Sequence, residues 1–159
     1  LGRIGTPEID AEARQDNTIS GAQFAAGARS ALADPITKAQ AWSAATADPE
    51  IANAMHIAVA QHLWNYGQED ILAGYQDAYL KLCEEIATSS GSWASRGHIA
   101  RQTALNHLWP SVLADREWIA KLDAWMATNE LPAQVRQVLV QNRDNQLRAI
   151  AVREASKDD

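Results

Sequence analysis

The sequence has 159 residues, of which 47% are hydrophobic, so it is long enough to form one domain over residues 1–159 with a buried core. A formal net charge of −6 argues against nucleic acid as the main partner, because affinity for phosphate backbones comes largely from lysine and arginine. The single cysteine, Cys83, excludes a disulfide within the chain, and no apolar run approaches the ~20 residues that a membrane-spanning helix needs.

Residues 1–5 are typical of the end of a helix, since an apolar residue, a glycine and a basic residue follow one another without an initial methionine. We therefore expect the chain to be a fragment of a longer protein. A cut through a stack of helices leaves one helix pair without its neighbour. An apolar face near Ile4, Ile9 and Ile19 should then be open, and the fragment should self-associate through it.

Signals for helix starts and stops follow one another along an alanine-rich chain that shows no strand-like alternation. A capping side chain precedes a proline at Thr6-Pro7 and at Asp34-Pro35, as in the first turn of a helix. The other expected starts are the turn cluster Asp16–Gly21, Asn53, Ser92, Asp115 and Leu131-Pro132. Glycines at positions 67 and 91 are expected where helices end.

Apolar residues recur at three- and four-residue steps in three segments, which predicts helices with one buried face. The stripes are Met55, Val59, His62 and Leu63; Leu72, Tyr75, Tyr79, Leu82, Cys83 and Ile86; and Trp118, Ile119, Leu122, Trp125 and Met126. A last helix is expected from about Pro132 to Ala155. The sequence thus predicts an all-α fold of about eight helices, as a closed bundle or as antiparallel pairs stacked into a HEAT-like α-superhelix. The recurrence of helix pairs suits the superhelix, and the truncated start favours it.

The titratable side chains form no recognisable catalytic motif. None of the four histidines belongs to an H-E-x-x-H zinc helix, and His62 is expected to be a core histidine that donates to a backbone carbonyl. Cys83 is expected to be a buried, inert thiol. The adjacent carboxylates at positions 69–70 and 84–85 point about 100° apart around a helix, so we expect solvated faces there. The sequence predicts no catalytic residue and no metal ligand in this chain.

Trp93 and Arg96 are the most distinctive polar–aromatic pair, because they lie three residues apart near a predicted helix start, with Arg101 close behind. Arg96 is expected either to stack on the Trp93 ring or to point into a groove as an anion-binding cation. The structural alternative is that the Arg96 stem only covers the ring.

A series of short segments, taken in order, resembles a known family. The segments are Asp16-Asn17-Thr18-x-Ser20-Gly21, Ala41-Trp42, Gly67–Leu72 with Tyr75 and Tyr79, Trp93-x-x-Arg96, Leu108-Trp109-Pro110 and Leu131-Pro132. Their order resembles the C-terminal helical domain of the bacterial aminopeptidase N family, which are zinc metalloaminopeptidases of the gluzincin class. The likeness runs over nearly the whole chain and depends on the order of the segments rather than on any one of them.

The resemblance implies a cytoplasmic, non-catalytic C-terminal domain that packs on an upstream catalytic domain of the same chain. Such a domain encloses the chamber in which peptides lose their N-terminal residue, and it gates their access. The zinc site and the G-x-M-x-N motif of the family would lie upstream, so we expect no cofactor in this chain itself. Trp93, Arg96 and Arg101 are the candidate residues of the substrate chamber, and no nucleic acid or membrane is expected as a partner.

Two other classes of function are open at this point. A free-standing helical-repeat adaptor would bind peptides or proteins in a concave groove. A helical-bundle metalloenzyme would need Glu-x-x-His pairs, but Asn53 precedes His56 by three residues and Val59 precedes His62 by three. An H-E-x-x-H motif upstream in the same reading frame would favour the aminopeptidase domain, and a start codon just before Leu1 would favour the adaptor.

Overall fold

A computed structural model describes residues 5–156 of the chain. Within this range the elements are α1 (Thr6–Gln15), α2 (Ile19–Ala31), α3 (Pro35–Ala47), α4 (Asn53–Gln61), α5 (Glu69–Leu72), α6 (Tyr75–Thr88), a 3-10 turn (Gly91–Trp93), α7 (His98–His107), α8 (Arg116–Thr128) and α9 (Ala133–Ala155). All regular structure in residues 5–156 is helical, and eight of the α-helices have nine residues or more. The predicted fold class and helix number are confirmed. The helix end predicted for residues 1–5 lies almost wholly outside the described range. Ile4 also lies outside it.

The helices form two layers of stacked pairs. In one layer α2 packs on α4, α4 on α7 and α7 on α9, while α1, α3 and α8 each pack on the helix that follows them. Aromatic contacts order the second layer: Trp42 of α3 lies 5.1 Å from Tyr75 of α6, and Tyr79 of α6 lies 6.2 Å from Trp118 of α8, between ring centroids. The Tyr79 hydroxyl donates to the Leu105 carbonyl at 2.6 Å, which joins α6 to α7.

Three predicted capping side chains start their helices as expected. Asp34 accepts the N–H of Thr37 at 2.7 Å, Thr18 accepts the N–H of Gly21 at 3.0 Å, and Asp115 accepts the N–H of Trp118 at 2.8 Å. Each bond satisfies one of the backbone donors that a first helical turn leaves unpaired.

Three other predicted caps are wrong. Thr6 is already inside α1, and the preceding Gly5 donates its N–H to the Glu8 carboxylate at 2.9 Å. Asn53 is the first helical residue of α4 and makes no cap. Ser92 lies inside the 3-10 turn, where its hydroxyl donates to the Thr46 carbonyl at 2.5 Å. At the first of these starts the acceptor is the nearby Glu8 side chain, and no side chain caps the start of α4 or of the 3-10 turn.

The two glycines expected at helix ends lie beyond them. Gly67, with φ of 80°, lies in the loop after α4, which ends at Gln61. Helix α6 ends at Thr88 because Ser89 takes the left-handed conformation, with φ of 52°, and Ser90 donates back to the Glu85 carbonyl at 2.9 Å. Gly91, also left-handed with φ of 59°, instead begins the 3-10 turn.

The periodic residues of α6 and α8 form the centre of the core. Tyr79, Leu82, Cys83 and Ile86 are buried on α6, and Trp118, Ile119, Leu122 and Met126 are buried on α8, as predicted. The expected open face near the start of the chain is only partly correct. Ile19 is 82% exposed, but Ile9 is only 7% exposed, because α1 packs on α2 and covers it. Self-association through this end stays a prediction.

Candidate functional site

The turn between α6 and α7 carries Trp93 and Arg96, and Arg101 follows in the first part of α7. The left-handed residues Ser89 and Gly91 reverse the chain, and the 3-10 turn then directs the Trp93 side chain into the core, where it is fully buried. The Cζ atom of Arg96 lies 4.1 Å from the centroid of the Trp93 ring. This distance is that of a cation–π contact, so the stacking interpretation of the pair is confirmed.

Arg96 is itself only 6% exposed. Its Nη1 atom donates to the Ala45 carbonyl near the end of α3 at 3.0 Å, and its Nη2 atom has no hydrogen-bond partner among the described residues. Burial lowers the pKa of the Arg96 guanidinium, and the negative charge of Asp48 partly offsets this effect. The cation therefore interacts with a helix C-terminus, where it complements the partial negative charge of the unpaired carbonyls.

Arg101 holds the same turn from the first part of α7. Its Nη2 atom donates to the Trp93 carbonyl at 2.6 Å, its Nε atom donates to the Arg96 carbonyl at 2.9 Å, and its Nη1 atom donates to the Ser89 hydroxyl at 2.9 Å. The structure thus brings Trp93, Arg96 and Arg101 together. Their hydrogen bonds and stacking contact are with one another, with the backbone and with the Ser89 hydroxyl, so they hold this turn in place.

His56 of α4 lies beside this cluster, although the sequence did not single it out. It is buried, and its ring centroid lies 6.4 Å from that of Trp93. Burial, followed by the positive charges of Arg96 and His107, lowers the pKa of His56 to about 4, while the nearby Ala45 carbonyl raises it slightly. His56 is therefore neutral at pH 7. Neither of its ring nitrogens meets hydrogen-bond geometry with a described residue.

The expected core histidine, His62, is not buried. Its Nδ1 atom lies 2.7 Å from the Ala58 carbonyl, as expected of a ring that bonds the backbone, but the residue is exposed at the end of α4. The helical stripe fails here because α4 ends at Gln61, so His62 is already outside the periodic segment. The neighbouring positions 56, 59 and 60 carry the buried face of α4 instead.

Lys38 is a second buried cation that sequence reasoning missed. It is fully buried on α3, and its Nζ atom donates to the carbonyls of Ser30, at 2.7 Å, and Leu63, at 2.6 Å. Burial lowers the pKa of Lys38 to about 8. A signal was present, because positions 38, 41 and 45 share the buried alanine face of α3. Like Arg96, Lys38 satisfies carbonyls near helix ends, here those of α2 and α4.

The remaining titratable candidates have no shared site. Cys83 is fully buried, and burial raises the pKa of its thiol well above the ordinary value, which confirms the prediction of an inert side chain. Within residues 5–156, no three histidine, cysteine, aspartate or glutamate side chains form a group that could hold a metal ion.

The fold and the buried cluster define a class: an all-helical domain of stacked pairs in which buried cations join one pair to the next. No protein-family model matches the chain. The chain is, however, 31% identical over 155 residues to an aminopeptidase N from Streptomyces lividans. The match covers 98% of this chain and 17% of that protein. The resemblance to the aminopeptidase N family is confirmed, and the chain is related to a segment of such an aminopeptidase.

The chain spans about one sixth of the length of this relative. Among residues 5–156, no helix combines the length and the apolar character needed to cross a membrane.

Proposed function

We propose that this chain is the non-catalytic, HEAT-like C-terminal domain of a zinc aminopeptidase that removes N-terminal residues from peptides. In this proposal the domain encloses the active-site chamber and gates the access of substrates. One observation carries the proposal: the similarity to an aminopeptidase N extends over 98% of this chain but only 17% of the relative. A segment of that size, built as stacked helix pairs, suits a wall better than a complete enzyme.

The buried cations support the role of a rigid wall. Lys38 ties α3 to the ends of α2 and α4, and Arg96 ties the turn before α7 to the end of α3. These bonds join α2, α3, the end of α4 and the turn before α7 through donors that are shielded from water. A chamber wall must keep its shape while peptides enter and leave, and links of this kind oppose bending between the pairs.

In this proposal the zinc and its ligands belong to the catalytic domain, where the metal would supply an activated water for hydrolysis. The residues of this chain exclude bulk water and limit the size of what enters. Trp93, Arg96 and Arg101 act as positioning residues that fix the junction of α3 and α7, and direct contact of any of them with a peptide stays a prediction. The net charge of −6 favours the approach of a positively charged peptide N-terminus.

The test compares substrates of different size with the polypeptide encoded by the complete reading frame that contains this sequence. We expect it to hydrolyse an aminoacyl-anilide and short peptides, and to leave intact a folded protein with a free N-terminal residue. Hydrolysis of the folded protein at a rate similar to that of the peptides would contradict the gating role. A reading frame without an H-E-x-x-H motif would contradict the proposal that the longer protein is an aminopeptidase. It would favour a helical-repeat adaptor instead.

A further inference from the structure

Three polar side chains that lie together in the core keep atoms without hydrogen-bond partners. His56 is 1% exposed, Trp93 is 0% exposed and Arg96 is 6% exposed. Among residues 5–156, no atom forms a hydrogen bond with Arg96 Nη2, with Trp93 Nε1 or with either ring nitrogen of His56. Because buried polar atoms are nearly always satisfied in native proteins, several in one cluster point to a bound ligand.

The three side chains converge on one small region. The Cζ atom of Arg96 lies 4.1 Å from the centroid of the Trp93 ring, and the ring centroids of His56 and Trp93 lie 6.4 Å apart. The Ala45 carbonyl, which accepts from Arg96 Nη1 at 3.0 Å, also lies near the His56 ring. A ligand about 3 Å from each of two donors bridges atoms about 6 Å apart, so one small ligand can reach all three side chains.

The charges around this cluster favour an anion over a water molecule. In the part of the chain that the structure describes, Arg96 forms no ion pair, and its contacts with the Ala45 carbonyl and the Trp93 ring are contacts with dipoles. The negative charge of Asp48 only partly offsets its burial. Arg101 adds a second guanidinium at the same turn. A water molecule would leave the buried cation without a counterion, whereas an anion supplies one.

The unpartnered groups are mainly donors, which are the groups that bind an anion. The indole N–H of Trp93 and the Nη2 group of Arg96 can only donate, and the neutral His56 ring has one N–H to offer. Trp118 provides the contrast, because its buried indole N–H also lacks a described partner but its ring contacts are with aromatic side chains. An unpaired indole alone therefore marks no anion site, and the guanidinium beside Trp93 makes the difference.

We propose that His56, Trp93 and Arg96 form a buried binding site for one small monovalent anion, for which chloride is the probe. The ion accepts hydrogen bonds from the imidazole, the indole and the guanidinium, and it neutralises the charge of Arg96. It thereby fastens the turn between α6 and α7 to α3 and α4. Binding of the ion and the local stability of this turn are then coupled.

The first experiment measures amide hydrogen exchange in the polypeptide encoded by the complete reading frame that contains this sequence. Sodium chloride replaces sodium gluconate, whose anion is too large for the site, at constant ionic strength. Exchange in residues 89–101 should become about elevenfold slower at a chloride concentration ten times the dissociation constant. Exchange in α8, around Trp118, should not change. Equal exchange of residues 89–101 in the two salts would overturn the proposal.

Matched tryptophan variants test whether the indole N–H binds the ion. Trp93→Phe keeps an aromatic ring beside Arg96 but removes the donor. The chloride concentration that gives half of the effect should rise about tenfold, as expected for the loss of one hydrogen bond to a charged group. Trp118→Phe removes another buried indole and should keep the full chloride effect. An unchanged effect in Trp93→Phe, or an equal loss in both variants, would overturn the site.

A crystal structure of the unaltered polypeptide grown in sodium bromide does not depend on the folding of any variant. Bromide replaces chloride and scatters X-rays anomalously, so we expect an anomalous peak in contact with Trp93 Nε1 and Arg96 Nη2. A water molecule at that position, or bromide as an adventitious ion only, would overturn the proposal. Because neither readout uses hydrolysis, an inactive polypeptide that binds the anion contradicts only the proposed function, and an active one that does not bind it contradicts only the anion site.

Discussion

The Lys38 ammonium donates a hydrogen bond of 2.6 Å to the carbonyl of Leu63, which lies 25 positions away in the sequence. Lys38 itself is fully buried. The second bond of Lys38, to Ser30, makes this side chain the common partner of three helices. Where a carboxylate would ordinarily balance a buried ammonium, helix-end carbonyls do so here.

Replacing Lys38 with methionine should lower the free energy of unfolding by about 2 kcal/mol, because two buried carbonyls lose their donor. Urea denaturation followed by circular dichroism measures the change. Lys121→Met is the matched control: Lys121 pairs with Asp77 on the surface, so its loss should cost less than about 1 kcal/mol. Equal losses in the two variants would show that the Lys38 bonds contribute little.

Replacing Arg96 with lysine should lower the free energy of unfolding by about 1–2 kcal/mol, although the charge is kept. Lysine cannot both lie flat on the Trp93 ring and reach the Ala45 carbonyl as the planar guanidinium does. Tryptophan fluorescence should report the altered stacking. Arg148→Lys, at an exposed position of α9, should leave stability within about 0.5 kcal/mol, and a similar effect from both variants would contradict the assigned role of Arg96.

The stability of the chain should fall as the pH drops from about 6.5 towards 4. The folded state holds the pKa of His56 at about 4 against an ordinary value of 6.5, so the unfolded chain binds the proton first and acid favours unfolding. Between pH 7 and pH 4.5, His56 should lower the free energy of unfolding by about 2–3 kcal/mol. This loss adds to the losses that other titrating groups cause. Arg96 and His107 face the ring and oppose its protonation.

The comparison that isolates this effect uses His56→Leu, which cannot titrate. Because neither ring nitrogen has a described partner, the variant should be nearly as stable as the parent chain at pH 7 and more stable at pH 4.5. His98→Gln, at an exposed position, should keep the pH dependence of the parent. If His56→Leu lost stability with acid as steeply as the parent, the low pKa of His56 would be disproved.

Replacing Gly27 with alanine should destabilise the chain by about 1 kcal/mol, despite the better helix propensity of alanine. An added Cβ atom would lie 2.9 Å from His62 Nδ1 and 3.2 Å from the Ala58 carbonyl, so α2 and α4 would have to separate. Gly74→Ala is the control, since that position is open and has φ of −70°. Gly74→Ala should stabilise the chain by about 0.5 kcal/mol. Thermal denaturation should therefore show a lower melting temperature for Gly27→Ala and a higher one for Gly74→Ala.

The features that the sequence predicted are local ones. The caps at Asp34 and Asp115 act over three residues, and the stripes of α6 and α8 repeat every three or four, so a short window contains the whole signal. The stacking of Arg96 on Trp93 was within reach for the same reason, since the two residues are three positions apart.

What the sequence could not predict depends on contacts between distant segments. The Ala45 carbonyl that receives Arg96 lies 51 positions away, and only the packing of the pairs makes that bond possible. His56 lies in α4, where the turn at Trp93 covers its ring, whereas His62 directly follows the last helical residue, Gln61, and is exposed. The burial of Ile9 likewise required knowledge of how α1 lies on α2.

Hydrolysis of an aminoacyl-anilide in the presence of zinc shows whether this chain is a non-catalytic part of a zinc aminopeptidase. The assay compares the polypeptide of the complete reading frame with residues 1–159 alone, after circular dichroism has shown that the shorter chain is helical. We expect turnover by the long polypeptide, its loss on chelation of the metal, and no turnover above background by residues 1–159. Zinc-dependent turnover by residues 1–159 alone would contradict a non-catalytic role for this chain.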